Sequence, residues 1–267
     1  MRTTASLLVL IVVGAFTPPA WATPALSYVG SPLIADTILP EAAAAFARRT
    51  GVGFDHVGRE GSGPGLSRVM RGQAEMVGVA RALSPGEKDG PIVHYIVGYR
   101  ALVIAVHADN PVTALTLTQA KDIFRGKIRN WRQVGGANAP IVAVLPRASI
   151  EAGSMVAFQR RVMLWAPYRT DRVESDDGPG LVTTMRANPS GITLISQPYL
   201  DAGLRAVKID GRLPERALVQ SGLYPLSEPL VMVLARRHRL VARRFVEFLL
   251  SPEGQQIVDR HLVRIGP

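Results

Sequence analysis

The chain has 267 residues, and 47% of its side chains are hydrophobic, enough to bury the cores of two domains of ordinary size. It contains no cysteine, which excludes disulfides, cysteine-ligated metals and a cysteine-linked lipid anchor. The five histidines have no metal-ligand spacing, so we expect no metal site. The formal net charge of +10 favours an anionic partner, which could be nucleic acid, an anionic membrane surface or a small anion.

Residues 1–22 have the layout of a cleaved export signal. Arg2 supplies a positive charge, residues 7–16 form a short apolar run, and Ala20-Trp21-Ala22 matches an A-x-A cleavage site. This apolar run is too short to span a membrane comfortably, and no later run of such length is free of charges. We therefore expect a soluble, periplasmic protein that begins near Thr23. For an exported protein, nucleic acid is the least suitable of the anionic partners.

The first two helix starts of the mature chain each carry a serine. A short strand at 26–29 leads into Gly30-Ser31-Pro32, where serine suits an N-cap and proline suits the first helical position. Pro40 lies inside the helix that follows and should kink or divide it. A second strand, at 51–57, precedes Gly61-Ser62-Gly63-Pro64-Gly65. Glycines let a backbone approach a ligand closely, but this turn lacks the lysine and spacing of a nucleotide-binding P-loop.

A third turn of this kind follows the apolar strand at 140–145. It places Arg147 before Gly153 and Ser154, and the apolar spacing of Met155, Phe158, Val162 and Trp165 then suits one face of a helix. Free backbone N–H groups and the positive end of the helix dipole make such a helix start an anion site. Taken alone, the turn could equally be a capped helix beside a surface arginine. Three turns of this type in one chain favour an anion site.

The remaining segments complete an α/β pattern. A strand at 76–80 delivers Arg81 at its end, and 92–97 and 99–106 have strand composition. Residues 116–119 form a capping box, and 191–195 is a further strand. The apolar segment 230–235 should pair near 101–106 and return the chain to its first lobe.

The densest basic run lies near the C-terminus. It is Arg236-Arg237-His238-Arg239, which precedes an expected helix. Arg243 and Arg244 lie within that helix. A run of this kind usually forms a solvated helix face.

Several motifs resemble the phosphate-binding proteins of ABC importers, in order along essentially the whole mature chain. They are residues 61–65, 78–83, 115–136, 224–230 and 248–255. The resemblance implies an α/β, two-lobed periplasmic-binding-protein fold of type II, in which each lobe is a mixed β-sheet flanked by helices and hinge strands join the lobes. We expect lobe 1 to comprise 23–108 plus 223–267, and lobe 2 to comprise 109–222, with the ligand in the cleft between them.

The resemblance also implies the ligand-binding residues. By position in the family's motifs they are Ser31, Ser62, Gly63, Arg81, Arg147, Gly153 and Ser154. The chain departs from those motifs in the spacing between Arg147 and Gly153, which is one residue longer than expected, and at three further places. Ala152-Gly153-Ser154 replaces Ser-Gly-Thr, Ala80 stands where many relatives have serine, and Arg81 stands where others have aspartate. These changes bear on which anion is bound rather than on whether a site exists.

We therefore expect a monomeric solute-binding protein that captures phosphate, or a similar tetrahedral oxyanion, for an ABC permease in the inner membrane. It would have no catalytic residue, metal or cofactor, and would bind no nucleic acid. A sensor or scavenger without a permease would have the same sequence features. An exported hydrolase with Ser62 or Ser154 as nucleophile is the less favoured alternative. It would need a positioned base, and the chain has no Gly-x-Ser-x-Gly elbow.

Overall fold

The computed structural model describes residues 25–147, 153–176 and 178–266. The expected export signal at 1–22 and the alanine at 152 lie outside these residues. Among the described residues, no helix combines the length and apolarity that a membrane crossing requires.

Strands and helices alternate along the described chain. The strands are β1 (Leu26–Gly30), β2 (Phe54–Val57), β3 (Met76–Val79), β4 (Ile92–His107), β5 (Ala114–Leu115), β6 (Val142–Pro146), β7 (Val173–Ser175), β8 (Gly191–Ser196), β9 (Leu204–Ala206), β10 (Lys208–Ile209) and β11 (Ser227–Ala235). The α-helices are α1 (Pro32–Asp36), α2 (Ile38–Thr50), α3 (Ser62–Met70), α4 (Pro85–Lys88), α5 (Leu117–Phe124), α6 (Gly153–Arg161), α7 (Pro179–Arg186), α8 (Arg216–Gln220), α9 (Leu240–Leu250) and α10 (Pro252–His261). Short 3-10 helices span Trp131–Val134 and Gln197–Tyr199.

Strand β4 links the two halves of the molecule. The order of strands in the main sheet is β2-β1-β3-β11-β4-β8-β6-β7, with β9 also paired to β4. Residues 92–101 of β4 pair with β11, whereas residues 102–107 pair with β8 and β9. Parallel pairs occur on both sides of this strand, since β1 runs parallel to β2 and β3 while β6 runs parallel to β7 and β8. The expected α/β class with mixed sheets and flanking helices is confirmed.

The buried side chains also divide into two main cores. One includes Tyr28, Ile34, Phe46 and Phe245, packed between the first sheet half and helices α1, α2, α9 and α10. The other includes Ile123, Phe124, Trp131 and Phe158, packed against the second sheet half. This division supports two lobes. The assignment of 23–108 plus 223–267 to lobe 1 and of 109–222 to lobe 2 stays a prediction, and Leu102, Ile104 and Tyr224 pack in the second core.

Three local expectations need correction. The helix interrupted near Pro40 divides at Thr37 instead, and Pro40 lies in the first turn of α2, where its missing N–H leaves no helix hydrogen bond unmade. Segment 230–235 pairs with 92–98 of β4, because β8 already occupies 102–106. Helix α6 ends at Arg161, so Trp165, at φ +64°, is exposed rather than on its inner face.

Close packing beneath the first helix start depends on glycines. Gly30 has a positive φ of 122°. A Cβ on Gly65 of α3 would lie 2.8 Å from the Gly30 Cα and 2.9 Å from a Val77 methyl group. Helix α3 therefore reaches β1 and β3 more closely than any side chain at position 65 would allow.

We predict that Gly65→Ala destabilises the protein by about 1–3 kcal/mol, because the added methyl group meets backbone that cannot move aside. The melting temperature should fall by about 2–4 °C for each kcal/mol lost, measured by circular dichroism. Gly86→Ala is the matched control, since Gly86 is also helical and nothing lies within 4 Å of the place that its Cβ would take. Equal melting temperatures for the two variants would show that the contact at Gly65 relaxes freely.

Candidate anion-binding site

The starts of helices α1, α3 and α6 meet at one small cavity, of about 10 Å³, between the two halves of the molecule. Four of the residues expected from the sequence line it, namely Ser31, Ser62, Gly153 and Ser154. The other described residues of its wall are Pro32, Leu33, Gly61, Ala80, Arg100, Ser196 and Tyr199. No carboxylate is among these described lining residues, and Arg100 is the one charged residue among them.

The three expected serines are all buried at this cavity. Ser31 is the N-cap of α1, and its side chain makes no capping hydrogen bond. Ser62 Oγ accepts a hydrogen bond from the Ala80 N–H at 3.1 Å. Ser154 is 3% exposed, and its Oγ has no hydrogen-bond partner among the described residues. A buried hydroxyl without a partner is costly, so Ser154 gains from any acceptor that enters the cavity.

Gly153 allows the two halves to touch across the cavity. A Cβ at this position would lie 3.0 Å from Ser62 Oγ. Contact this close brings the first turn of α6, with its N–H groups, to the same cavity as the first turn of α3. The arrangement is therefore a closed one, in which both halves enclose the same small space.

Arg100 was not expected from the sequence. Its side chain lies on β4, is 2% exposed, and donates a hydrogen bond from Nη1 to Ser196 Oγ at 2.5 Å. The composition of 99–106 predicts a strand but does not reveal that Arg100 lines the cavity. The available signal was a single arginine in an otherwise apolar strand, since a buried cation needs polar compensation. Ser196, on the neighbouring strand β8, was missed with it.

Arg81 and Gly63 line a different space from the cavity. The guanidinium of Arg81 forms two hydrogen bonds to Glu87, each 2.8 Å long, and a third to the Ala82 carbonyl at 3.1 Å. Burial alone would raise the pKa of Glu87, but the hydrogen bonds from Arg81 and Ser84 hold this pKa below its usual value. Glu87 therefore stays ionised and engages Arg81 at a groove beside the cavity, which Gly63 also lines.

Arg147 follows β6, as the sequence indicates, but its side chain points to solvent. It is 56% exposed, and its Nε lies 3.5 Å from Asp176 Oδ1. Arg147 is not among the described residues that line the cavity. The segment 148–152, which joins it to Gly153, lies outside the described residues.

The far end of α6 is tied to the first half of the molecule. Arg160 donates to the Ala82 carbonyl at 2.9 Å, and its Nη2 lies 3.5 Å from the buried Glu228 carboxylate. Arg161 donates to the Ser227 carbonyl at 2.6 Å. Glu228 also accepts a hydrogen bond from the Ala82 N–H at 3.1 Å. Helix α6 thus joins the two halves at both ends, with the cavity at its start and an ion pair at its end.

A family model, the PBP superfamily domain, matches residues 17–253. The crystal structure of a putative phosphate ABC transporter substrate-binding protein with bound phosphate, from Clostridium perfringens, is 31% identical and has a TM-score of 0.84. That match covers 91% of this chain and all of the other. An ABC-type phosphate transport receptor from Vibrio cholerae, 24% identical with a TM-score of 0.77, shares the fold.

Curated relatives give the same result. The phosphate-binding protein PstS of Staphylococcus epidermidis is 28% identical over 222 residues, which cover 76% of this chain and 67% of the relative. PstS of Bacillus subtilis is 28% identical over 203 residues, covering 74% of this chain and 66% of the relative. The chain thus spans about two thirds of the length of these relatives. The chain belongs to the PBP superfamily, and its resemblance to the phosphate-binding proteins of ABC importers is confirmed.

Proposed function

We propose that this protein is an extracytoplasmic solute-binding protein that captures phosphate, or a similar tetrahedral oxyanion, for an ABC importer. The observation that carries the proposal is the meeting of three helix starts, three buried serines and a buried arginine at one cavity. Helix starts and arginine are the groups that proteins use to replace the water around an anion. The bound phosphate in the Clostridium perfringens relative supports phosphate as the ligand.

The proposed contacts come from both lobes. Ser31 and Ser62 serve from lobe 1, the first turn of α6 with Ser154 serves from lobe 2, and Arg100 serves from β4. A charge-assisted hydrogen bond contributes about 1.5–3 kcal/mol net. Several such bonds together offset the large cost of stripping water from the anion. We assign no direct contact with the anion to Arg81 or Gly63, because they line the neighbouring groove. We assign none to Arg147 either, because its side chain is exposed to solvent.

We also propose a location for the protein, the periplasm, and a partner, a permease. Residues 1–22 would direct export to the periplasm, and a permease would bind the closed, monomeric protein and release the anion. The relatives named as transporter proteins support this. The hydrolase alternative has no support at the cavity, since Ser62 is bonded to a backbone N–H and no described lining residue is a histidine.

We predict that Arg100→Gln lowers phosphate affinity on the order of tenfold to a hundredfold, because it removes a charge-assisted contact from a buried site. Arg147→Gln, with the same change of charge at an exposed position, should stay within about twofold of the unchanged protein. Calorimetry measures both, and melting curves without ligand check that each variant folds. Loss of affinity in Arg147→Gln with none in Arg100→Gln would place the anion at the end of β6 instead.

We also predict weak discrimination between phosphate and sulfate. A carboxylate accepts a hydrogen bond from protonated phosphate and repels fully ionised sulfate, but arginine has donors only. Phosphate affinity should therefore rise with pH as the dianion replaces the monoanion, whereas sulfate affinity should stay level. Competition calorimetry on either side of that transition tests both statements. Strong rejection of sulfate, with phosphate affinity falling as pH rises, would reveal a carboxylate acceptor at the anion.

We predict further that Arg160→Gln weakens binding about tenfold through lobe closure, since it removes one ion pair that holds the end of α6 to lobe 1. The dissociation rate should rise, as followed by stopped-flow fluorescence. Arg186→Gln is the matched control, because it removes an arginine of lobe 2 that pairs with Asp201 at the surface. If both variants release the anion at the unchanged rate, the contacts of Arg160 do not contribute to closure.

A further inference from the structure

A second and larger cavity, of about 800 Å³, opens at the other end of the strands that lead to the proposed anion cavity. Ser27, near the start of β1, lines the larger cavity, whereas Ser31, just after the end of β1, lines the anion cavity. Likewise, Glu75, just before β3, lines the larger cavity, and Ala80, just after β3, lines the anion cavity. Four or five residues of strand separate the two edges, a distance of about 15 Å.

Arginine dominates the wall of this larger cavity. Arg71, Arg236, Arg237 and Arg239 line it, with Glu75 as the one acidic residue among its described lining residues. Arg239 is paired with Glu75, to which its Nε and Nη2 donate hydrogen bonds of 2.7–3.1 Å. The negative charge of Asp55 also attracts Arg239. Within the described part of the chain, no ion pair involves Arg71, Arg236 or Arg237, and all three are exposed.

An exposed apolar side chain follows the arginine run in the chain. Leu240 begins α9 one residue after Arg239 and is 62% exposed. The exposed positions of α9 continue with Arg243 and Arg244, of which Arg243 pairs with Glu247. Arg244 lines a neighbouring groove together with Arg49. We call the surface formed by Arg71, Arg236 and Arg237, together with Leu240 just beyond the arginine run in the chain, the arginine face.

We propose that the arginine face binds the surface of an anionic phospholipid bilayer. Arginines attract anionic headgroups, and an exposed leucine among them can enter the boundary between headgroups and acyl chains. A soluble acidic polypeptide would satisfy the charges but would leave Leu240 in water. The combination of exposed arginines with an exposed leucine one residue beyond the arginine run therefore favours a lipid surface over an acidic protein.

The position of the arginine face makes this binding independent of anion capture. It lies at the edge of the lobe 1 sheet opposite the anion cavity, and none of its residues lines that cavity. Binding to a bilayer through this edge would leave free the two contacts between the halves, that of Gly153 with Ser62 and that of Arg160 with the Ala82 carbonyl. The protein could then hold its anion and the membrane surface at the same time.

The test is cosedimentation of the full chain with phosphatidylglycerol vesicles and with phosphatidylcholine vesicles. We expect binding to the anionic vesicles only, weakened by salt because the charges are exposed. Each arginine near an anionic surface changes partitioning about fivefold, so Arg236→Gln with Arg237→Gln should lower it on the order of 20-fold. Leu240→Ala should lower it several-fold more. Calorimetry with phosphate should show that these variants still bind the anion.

The matched control is Arg132→Gln with Lys208→Gln, which removes the same charge from exposed positions of lobe 2 that have no ion pair in the described structure. This control should retain vesicle binding within about twofold. Equal losses in both double variants would show diffuse attraction by net charge and would overturn the proposal. It would also be overturned by failure to bind the anionic vesicles, or by binding of polyglutamate at the arginine face with vesicles ignored.

Discussion

A buried guanidinium on the strand that links both halves of the molecule is the feature around which the proposed site is built. Arg100 lies on β4, paired in the sheet with Glu228 of β11 and hydrogen-bonded to Ser196 of β8. A cation taken out of water is costly unless polar groups surround it. Its neighbours are groups that only the folded molecule brings together, from a strand of each lobe. Placing the charge on β4 therefore makes the anion cavity depend on the relative position of the two lobes.

We propose that helix α6 couples anion binding to lobe closure. Its first turn meets Ser62 through Gly153, where an added Cβ would lie 3.0 Å from Ser62 Oγ. Its last turn meets the chain after β3 and the start of β11 through Arg160 and Arg161. A rigid helix held at both ends moves as one body, so an anion that draws in the first turn also brings the arginines at the other end toward Glu228. Ligand contacts and lobe contacts thus form together.

The parts of the site that follow from local rules could be predicted from the sequence. Serine and glycine at a helix start are recognisable from a few neighbouring residues, and Ser31, Ser62, Gly153 and Ser154 were found in this way. Arg81 and Arg147 could be placed at strand ends, but the direction of a long side chain depends on which carboxylate is nearest. Glu87 and Asp176 decide that in the folded molecule. Arg100 lay in an apolar strand, whose pattern indicates burial but not which residues from the other lobe will face it.

The same limit applied to the sheet. Strand composition identified 92–97, 99–106 and 230–235, yet only the tertiary pairing showed that the first two form one strand and that β8 takes 102–106. The fold class was predictable because it depends on the alternation of strands and helices, which local patterns report. Register was not, because it depends on competition between strands distant in sequence.

The two proposed anion-binding regions of lobe 1 lie at opposite edges of one sheet and depend on different physical effects. At the edge where β1 and β3 end, few donors act on a small desolvated ion, and their strength comes from the absence of water and mobile salt around them. At the edge where those strands begin, the arginines remain in water, and their attraction falls as ionic strength rises. The positive charge of this chain would therefore serve both a strong interaction with a buried anion and a weaker, salt-sensitive interaction with an extended surface. Because parallel strands bring unlike loops to their two ends, the same lobe can hold both without either occupying the place of the other.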